Sequence, residues 1–136
     1  MAAEIDIYNP DTLGPPLGQY THVARVKAAE YLFVAGMVSA DRAGDIVGEG
    51  DFDAQCGQVF ANVEAALRSA GADFSNVVQF TTYIVHSRWI PRFMAFRKRE
   101  FPKMFPGGIY PPNTLLVVDR LVNEAFLIEV QTIAAI

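Results

Sequence analysis

The chain has 136 residues, with eleven Lys and Arg against fifteen Asp and Glu, for a net charge of −4. It is 51% hydrophobic and only 19% charged, against about 25% in an average soluble domain, which excludes a disordered chain. The acidic balance argues against a nucleic-acid surface. Its one cysteine, Cys56, excludes an internal disulfide framework or a thiolate zinc cluster, and no apolar run approaches the roughly 18 residues that span a bilayer.

The length fits a single domain over residues 1–136. The N-terminus lacks the basic and apolar stretches of a signal peptide, so a cytoplasmic location is expected. The segment up to Gly18 holds Pro10, Pro15 and Pro16 and reads as extended or looped. Tyr20 to Lys27 alternates, and Tyr31 to Val38 is a dense apolar run. With Ala28-Ala29-Glu30 between them, the two are expected to form a β-hairpin. Asp41 to Asp45 is a turn by composition.

Asp51 or Asp53 can cap a helix running from about Phe52 to Ala70, in which Val59, Phe60, Val63, Ala66 and Leu67 recur at helical spacing. Gly71 supplies its stop. Val77 to Val85 is rich in β-branched and aromatic residues and predicts a buried strand. A second helix is expected from about Ile90 to Phe101, ended by Pro102 and Pro106. After the Pro- and Gly-rich stretch from Phe105 to Pro112, Thr114 to Val118 and Ala125 to Ala134 predict two closing strands. The order β-β-α-β-α-β-β gives an α+β layer with two helices on one face of a sheet. The other face has no evident cover. With so few charges, self-association is its natural fate.

Six of the eleven bases, Arg88, Arg92, Arg97, Lys98, Arg99 and Lys103, fall within sixteen residues. They are read as the solvated side of the second helix rather than an RNA patch. Glu129, in Phe126-Leu127-Ile128-Glu129-Val130, is a carboxylate inside an apolar strand. Burial would raise its pKa and suit it to proton transfer, whereas alternation would merely turn it outward. His22 and His86 have no spaced partner, so no metal site is expected. Cys56 has no identifiable catalytic partner and reads as a packed thiol. Asn113 either presents an amide to a ligand or completes a turn.

Taken together, these segments resemble the RidA/YjgF family, also called the L-PSP family or the translation-initiation-inhibitor family. Gly18-Gln19-Tyr20-Thr21-His22-Val23 resembles its GPYSQA-type segment, and Leu32 to Met37 its apolar strand ending in SGQ. Gln55, Val59, Asn62, Leu67, Ala70-Gly71-Ala72, Val77 and Val78 match its helix–strand signature, and Phe126 to Ala134 its closing EIEAIA strand. The resemblance implies a chorismate-mutase-like fold and a homotrimer whose sheets face the threefold axis, with sites in clefts between subunits. It also implies hydrolysis of small reactive enamines and imines to ketoacids and ammonia, with no metal or cofactor.

Residue by residue, Glu129 matches the glutamate that positions or activates water, and Tyr20 matches the cleft tyrosine. Ala35 stands where many members have serine, and Gly36 keeps the backbone close to the ligand. Tyr110-Pro111-Pro112-Asn113-Thr114 matches the FPARS-type segment, with Asn113 in place of the arginine that grips a substrate carboxylate. Leu115 stands where many members carry cysteine. An asparagine cannot balance a carboxylate charge. Arg97 and Arg120 are the two candidates to supply it from elsewhere. The ligand-binding set is therefore Tyr20, Ala35, Gly36, Asn113, Thr114 and Leu115, around catalytic Glu129. The expected function is imine or enamine deamination. The alternative is a non-catalytic small-molecule binder of the same fold, with RNA binding or cleavage a distant third.

Overall fold

A computed structural model describes residues 2–136. Asp51 is extended (φ −113°, ψ 97°), and its carboxylate accepts the Ala54 N–H at 3.0 Å, starting helix α1, Phe52–Ser69. Phe52, Cys56, Val59, Phe60, Val63 and Leu67 recur every three or four residues and form its buried stripe. At the other end Gly71 takes φ +74°, which lets the N–H groups of Gly71 and Ala72 return to the Arg68 and Leu67 carbonyls.

Six strands accompany it: β1 (Glu4–Tyr8), β2 (Val23–Lys27), β3 (Tyr31–Met37), β4 (Val77–Ile84), β5 (Asn113–Val117) and β6 (Ile128–Ala135). A second helix, α2 (Ile90–Met104), links β4 to β5 as a crossover, and these two strands run parallel. The main sheet has the order β3-β6-β4-β5, so β6 lies between β3 and β4 and is antiparallel to both. Ile128, Val130 and Ala134 of β6, with Phe80 and Ile84 of β4, face the helices and are buried. Phe60, Phe80, Phe96, Phe101 and Phe105 meet there at ring-centroid distances of 5.4–6.2 Å.

Two sequence expectations change. The β2–β3 hairpin does not form: β2 pairs with β1, and β3 pairs with β6. Glu30, in the predicted turn, exchanges both backbone hydrogen bonds with Ile136, which commits the start of β3 to the β6 edge. That leaves β2 to pair with Glu4-Ile5-Asp6-Ile7-Tyr8, a short alternation hidden by the prolines that follow it. The second helix also runs three residues past its expected end. Pro102 sits in its last turn, where only one intrahelical N–H is lost, and buried Phe101 and Phe105 hold that turn on the core. Among the described residues no helix is long and apolar enough to cross a membrane.

Two buried amides tie α1 to the strands. Gln55, fully buried, donates to the carbonyls of Gly48 (3.1 Å) and Ala125 (2.8 Å) and accepts the Leu127 N–H (2.9 Å), fixing the approach to β6. Asn62 donates to the carbonyls of Val38 (3.0 Å) and Ala40 (2.8 Å), fixing the exit from β3.

Candidate functional site

Glu129 follows Ile128 and precedes Val130, both fully buried against the helices. Alternation therefore places it on the opposite face, in register with Tyr83 of β4, which is itself in register with Leu116 of β5. Glu129, Tyr83 and Leu116 make one row across the open side of the sheet. Tyr83 was not singled out from the sequence, although the period-two pattern of its strand already turns it outward. Glu129 is half-buried, and among the described residues no cation lies within ion-pairing distance of it. Burial pushes its carboxyl above the ordinary glutamate range.

Gly36 lies directly against this carboxylate. A Cβ there would overlap Oε2 and come within 2.6 Å of the carboxyl carbon. The strand is irregular here, with a register shift between Val34 and Met37. Because the overlapping atoms belong to a flexible side chain on an open face, Gly36→Ala is expected to push Glu129 into another rotamer, at about 0.5–1.5 kcal/mol in denaturant unfolding. The cost should vanish when Glu129 is also shortened to alanine. An equal cost in both backgrounds would place the strain elsewhere.

The remaining candidates separate. Ala35 is exposed on β3, next to Gly36. Asn113 is in register with Phe80, on the helix side of the sheet, and its Oδ1 accepts the Thr82 hydroxyl at 2.7 Å. Thr114 is exposed, whereas Leu115 packs against the core. Tyr20 lies on the segment that runs over α2, its ring 5.9 Å from the Arg97 guanidinium and 6.2 Å from the His22 ring. His22, Val23, Ala24, Val26, Val78, Gln79 and Pro112 line a cleft of about 320 Å³. It brings the residues after Tyr20 opposite the residue before Asn113. A second cleft, about 340 Å³, opens between β1 and the Phe105–Ile109 loop and contains none of the sequence-derived candidates.

Of the two substitute arginines, Arg120 is spent on its own loop. It donates to the Leu121 and Val122 carbonyls and pairs with Glu124 at 3.2 Å. Arg97 is not the solvated base that the charge run suggested, because it is 2% exposed. Arg99 and Lys103 do lie on the solvent side, paired with Asp53 and Glu100. Cys56 is buried, and burial pushes its thiol far above the ordinary range, as a packed thiol requires. Among the described residues no group of three or more His, Cys, Asp or Glu is placed to hold a metal ion.

The family model described as Endoribonuclease L-PSP matches residues 12–136. A RutC family protein of Pyrococcus horikoshii is 31% identical over 120 residues, covering 88% of each chain. YyfB, a Rid family protein of Yersinia pestis, superimposes with a TM-score of 0.86 at 30% identity over the whole of both chains. TdcF of Escherichia coli, solved with bound serine, has the same fold at 22% identity, with a TM-score of 0.70 over 93% of this chain and 92% of its own.

Proposed function

Because the chain belongs to the Endoribonuclease L-PSP family, also called the RidA/YjgF family, we propose that it hydrolyses a small reactive imine or enamine to a carbonyl compound and ammonia. The observation that carries this reading is the Glu129 carboxylate: uncompensated by any cation among the described residues, raised in pKa by burial, and lying against Gly36 on an open sheet face. A carboxyl raised above its ordinary range is better matched to exchanging a proton with a carbon acid and with water. Protonated, it delivers a proton to the enamine carbon and leaves an iminium. Ionised, it takes a proton from water as the oxygen bonds to the iminium carbon. The carboxyl returns that proton to the carbinolamine nitrogen, the C–N bond breaks as the hydroxyl oxygen closes to a carbonyl, and its proton passes back to the carboxylate, so one imine and one water give one carbonyl and one ammonia.

Phe33 (78% exposed), Tyr31 and Leu116 leave the Glu129 side of the sheet apolar and open. This supports a homotrimer in which neighbouring copies cover that face and complete a cleft beside Tyr20, Ala35, Gly36 and Thr114, with Asn113 and Leu115 turned to the helix side behind it. The reading is of one folded unit that works in the cytoplasm. The test is ammonia release from a panel of imines generated in place by a pyridoxal-phosphate enzyme. Release above the uncatalysed rate is expected, and a rate equal to buffer across the panel overturns the reading.

A second reading, ligand binding without turnover, is favoured by Asn113, whose carbonyl is committed to Thr82. Saturable thermal stabilisation by a ketoacid, with no ammonia release, would select it.

A further inference from the structure

The guanidinium of Arg97 is buried in a chain that offers it no anion. Among the described residues no carboxylate lies within 4 Å of it, and its Nε has no hydrogen-bond partner. Its remaining contacts are weak. Nη1 reaches the Gln19 carbonyl at 3.5 Å, Nη2 meets the Met94 sulfur at 3.0 Å, and the group lies 4.7 Å from the Phe93 ring centroid and 5.9 Å from that of Tyr20. A buried cation is costly unless paired and hydrogen-bonded, and ring faces with a thioether return only part of that cost. Burial lowers the guanidinium pKa to about 10, which still leaves it charged at neutral pH.

We propose that Arg97 and Tyr20 form a binding subsite for a small carboxylate supplied from outside the chain. The group is planar and forked, so it can meet a carboxylate with two parallel N–H donors, one of them the unpartnered Nε. Phe93, Tyr20 and Met94 surround the guanidinium with apolar groups, which suits a short apolar substituent. One cation in a chain of net charge −4 favours a monocarboxylate over a phosphate, which would call for more positive charge.

The cover is the Leu17–Tyr20 segment. Leu17 is 83% exposed, and its N–H donates to the Tyr20 hydroxyl at 3.1 Å. Gly18 lets the backbone settle on the arginine, since a Cβ there would come 2.9 Å from Nη2. His22, beside the Tyr20 ring, also holds a buried unpartnered Nδ1. The subsite rests on the preceding reading for the place of Tyr20 at the reacting cleft. It places on α2, rather than at position 113, the charge that would meet a carboxylate there.

The experiment uses the intact protein with ¹⁵N-labelled arginine. The Arg97 Nε–H resonance is assigned by its loss in Arg97→Lys. Titration with 2-oxobutanoate should shift this resonance saturably, and 2-oxobutanamide should not. By calorimetry Arg97→Gln should weaken oxoacid binding at least tenfold. An unmoved resonance, equal binding of the amide, or unchanged affinity in Arg97→Gln overturns the proposal. If Arg97→Gln does not fold, the titration of the unaltered protein decides alone. Ammonia assays run in parallel separate the two ideas. A shifted Arg97 with no ammonia from any imine retains the subsite and discards the hydrolase, and turnover with an indifferent Arg97 does the reverse.

Discussion

Replacing Glu129 by glutamine is expected to lower ammonia release from the imine panel by about 10²–10⁴-fold, the usual worth of a positioned acid or base. Glutamine has nearly the same shape, so contact with Gly36 persists while the exchangeable proton is lost. The same substitution should change stability in a direction fixed by the sign of the shift. Burial raises the Glu129 carboxyl in the folded state, so the folded chain holds its proton to higher pH than the unfolded one. The group's stabilising contribution is fully present below the ordinary glutamate pKa and is lost as pH rises through the raised value. Once pH exceeds the raised value, the native protein carries a desolvated charge that the variant lacks. Glu129→Gln should therefore melt above the native protein at pH 7 to 8, with the gap closing at acid pH. A variant that is fully active, or one that melts lower at neutral pH, would remove Glu129 from the chemistry or show that its carboxylate is stabilised by something other than what surrounds it here.

Gln55→Ala should produce the largest loss of stability, about 3–5 kcal/mol. Its amide holds three backbone groups: the carbonyls of Gly48 and Ala125 and the N–H of Leu127. Truncation strands these groups around a new cavity, and each unsatisfied buried group costs about 1–3 kcal/mol. Urea denaturation measures the total. A loss below about 1 kcal/mol would mean that water or a shifted loop replaces the amide. Because Leu127 lies two residues before Glu129, the surviving folded fraction should also turn over more slowly, as a misplaced group does.

The helices and β4 were legible because their signals are local. Asp51, the three- and four-residue spacing from Phe52 to Leu67, and Gly71 specify α1 without help from the rest of the chain. Glu129 was legible as a charge in an apolar run, and its contact with Gly36 then emerged from the pairing of β3 with β6. Strand partners were not legible. The spacing of Tyr20–Lys27 and Tyr31–Val38 fits a hairpin, and only the competition of β6 for the same edge decides against it. The solvated reading of Arg97 fails for a related reason. A charge run marks a solvated helix face only where nothing packs over it, and here Gly18 to Tyr20 cross that face from some 78 residues away in sequence. The side to which Asn113 turns needed the parallel register with β4, which no residue pattern encodes.

The position of β6 has a consequence for the order of assembly. It is the sixth strand in the chain and the second in the sheet, between β3 and β4. While the ribosome is still making it, β3 and β4 have no strand between them, and the apolar row of α1 has no sheet to close on. Pairing β3 with β6 joins residues about a hundred positions apart, and such closures form late and slowly. The carboxylate that the proposed chemistry needs is thus delivered by the segment whose arrival completes the sheet. A chain lacking it would leave Phe52, Val59 and Phe60 less covered and more prone to aggregate.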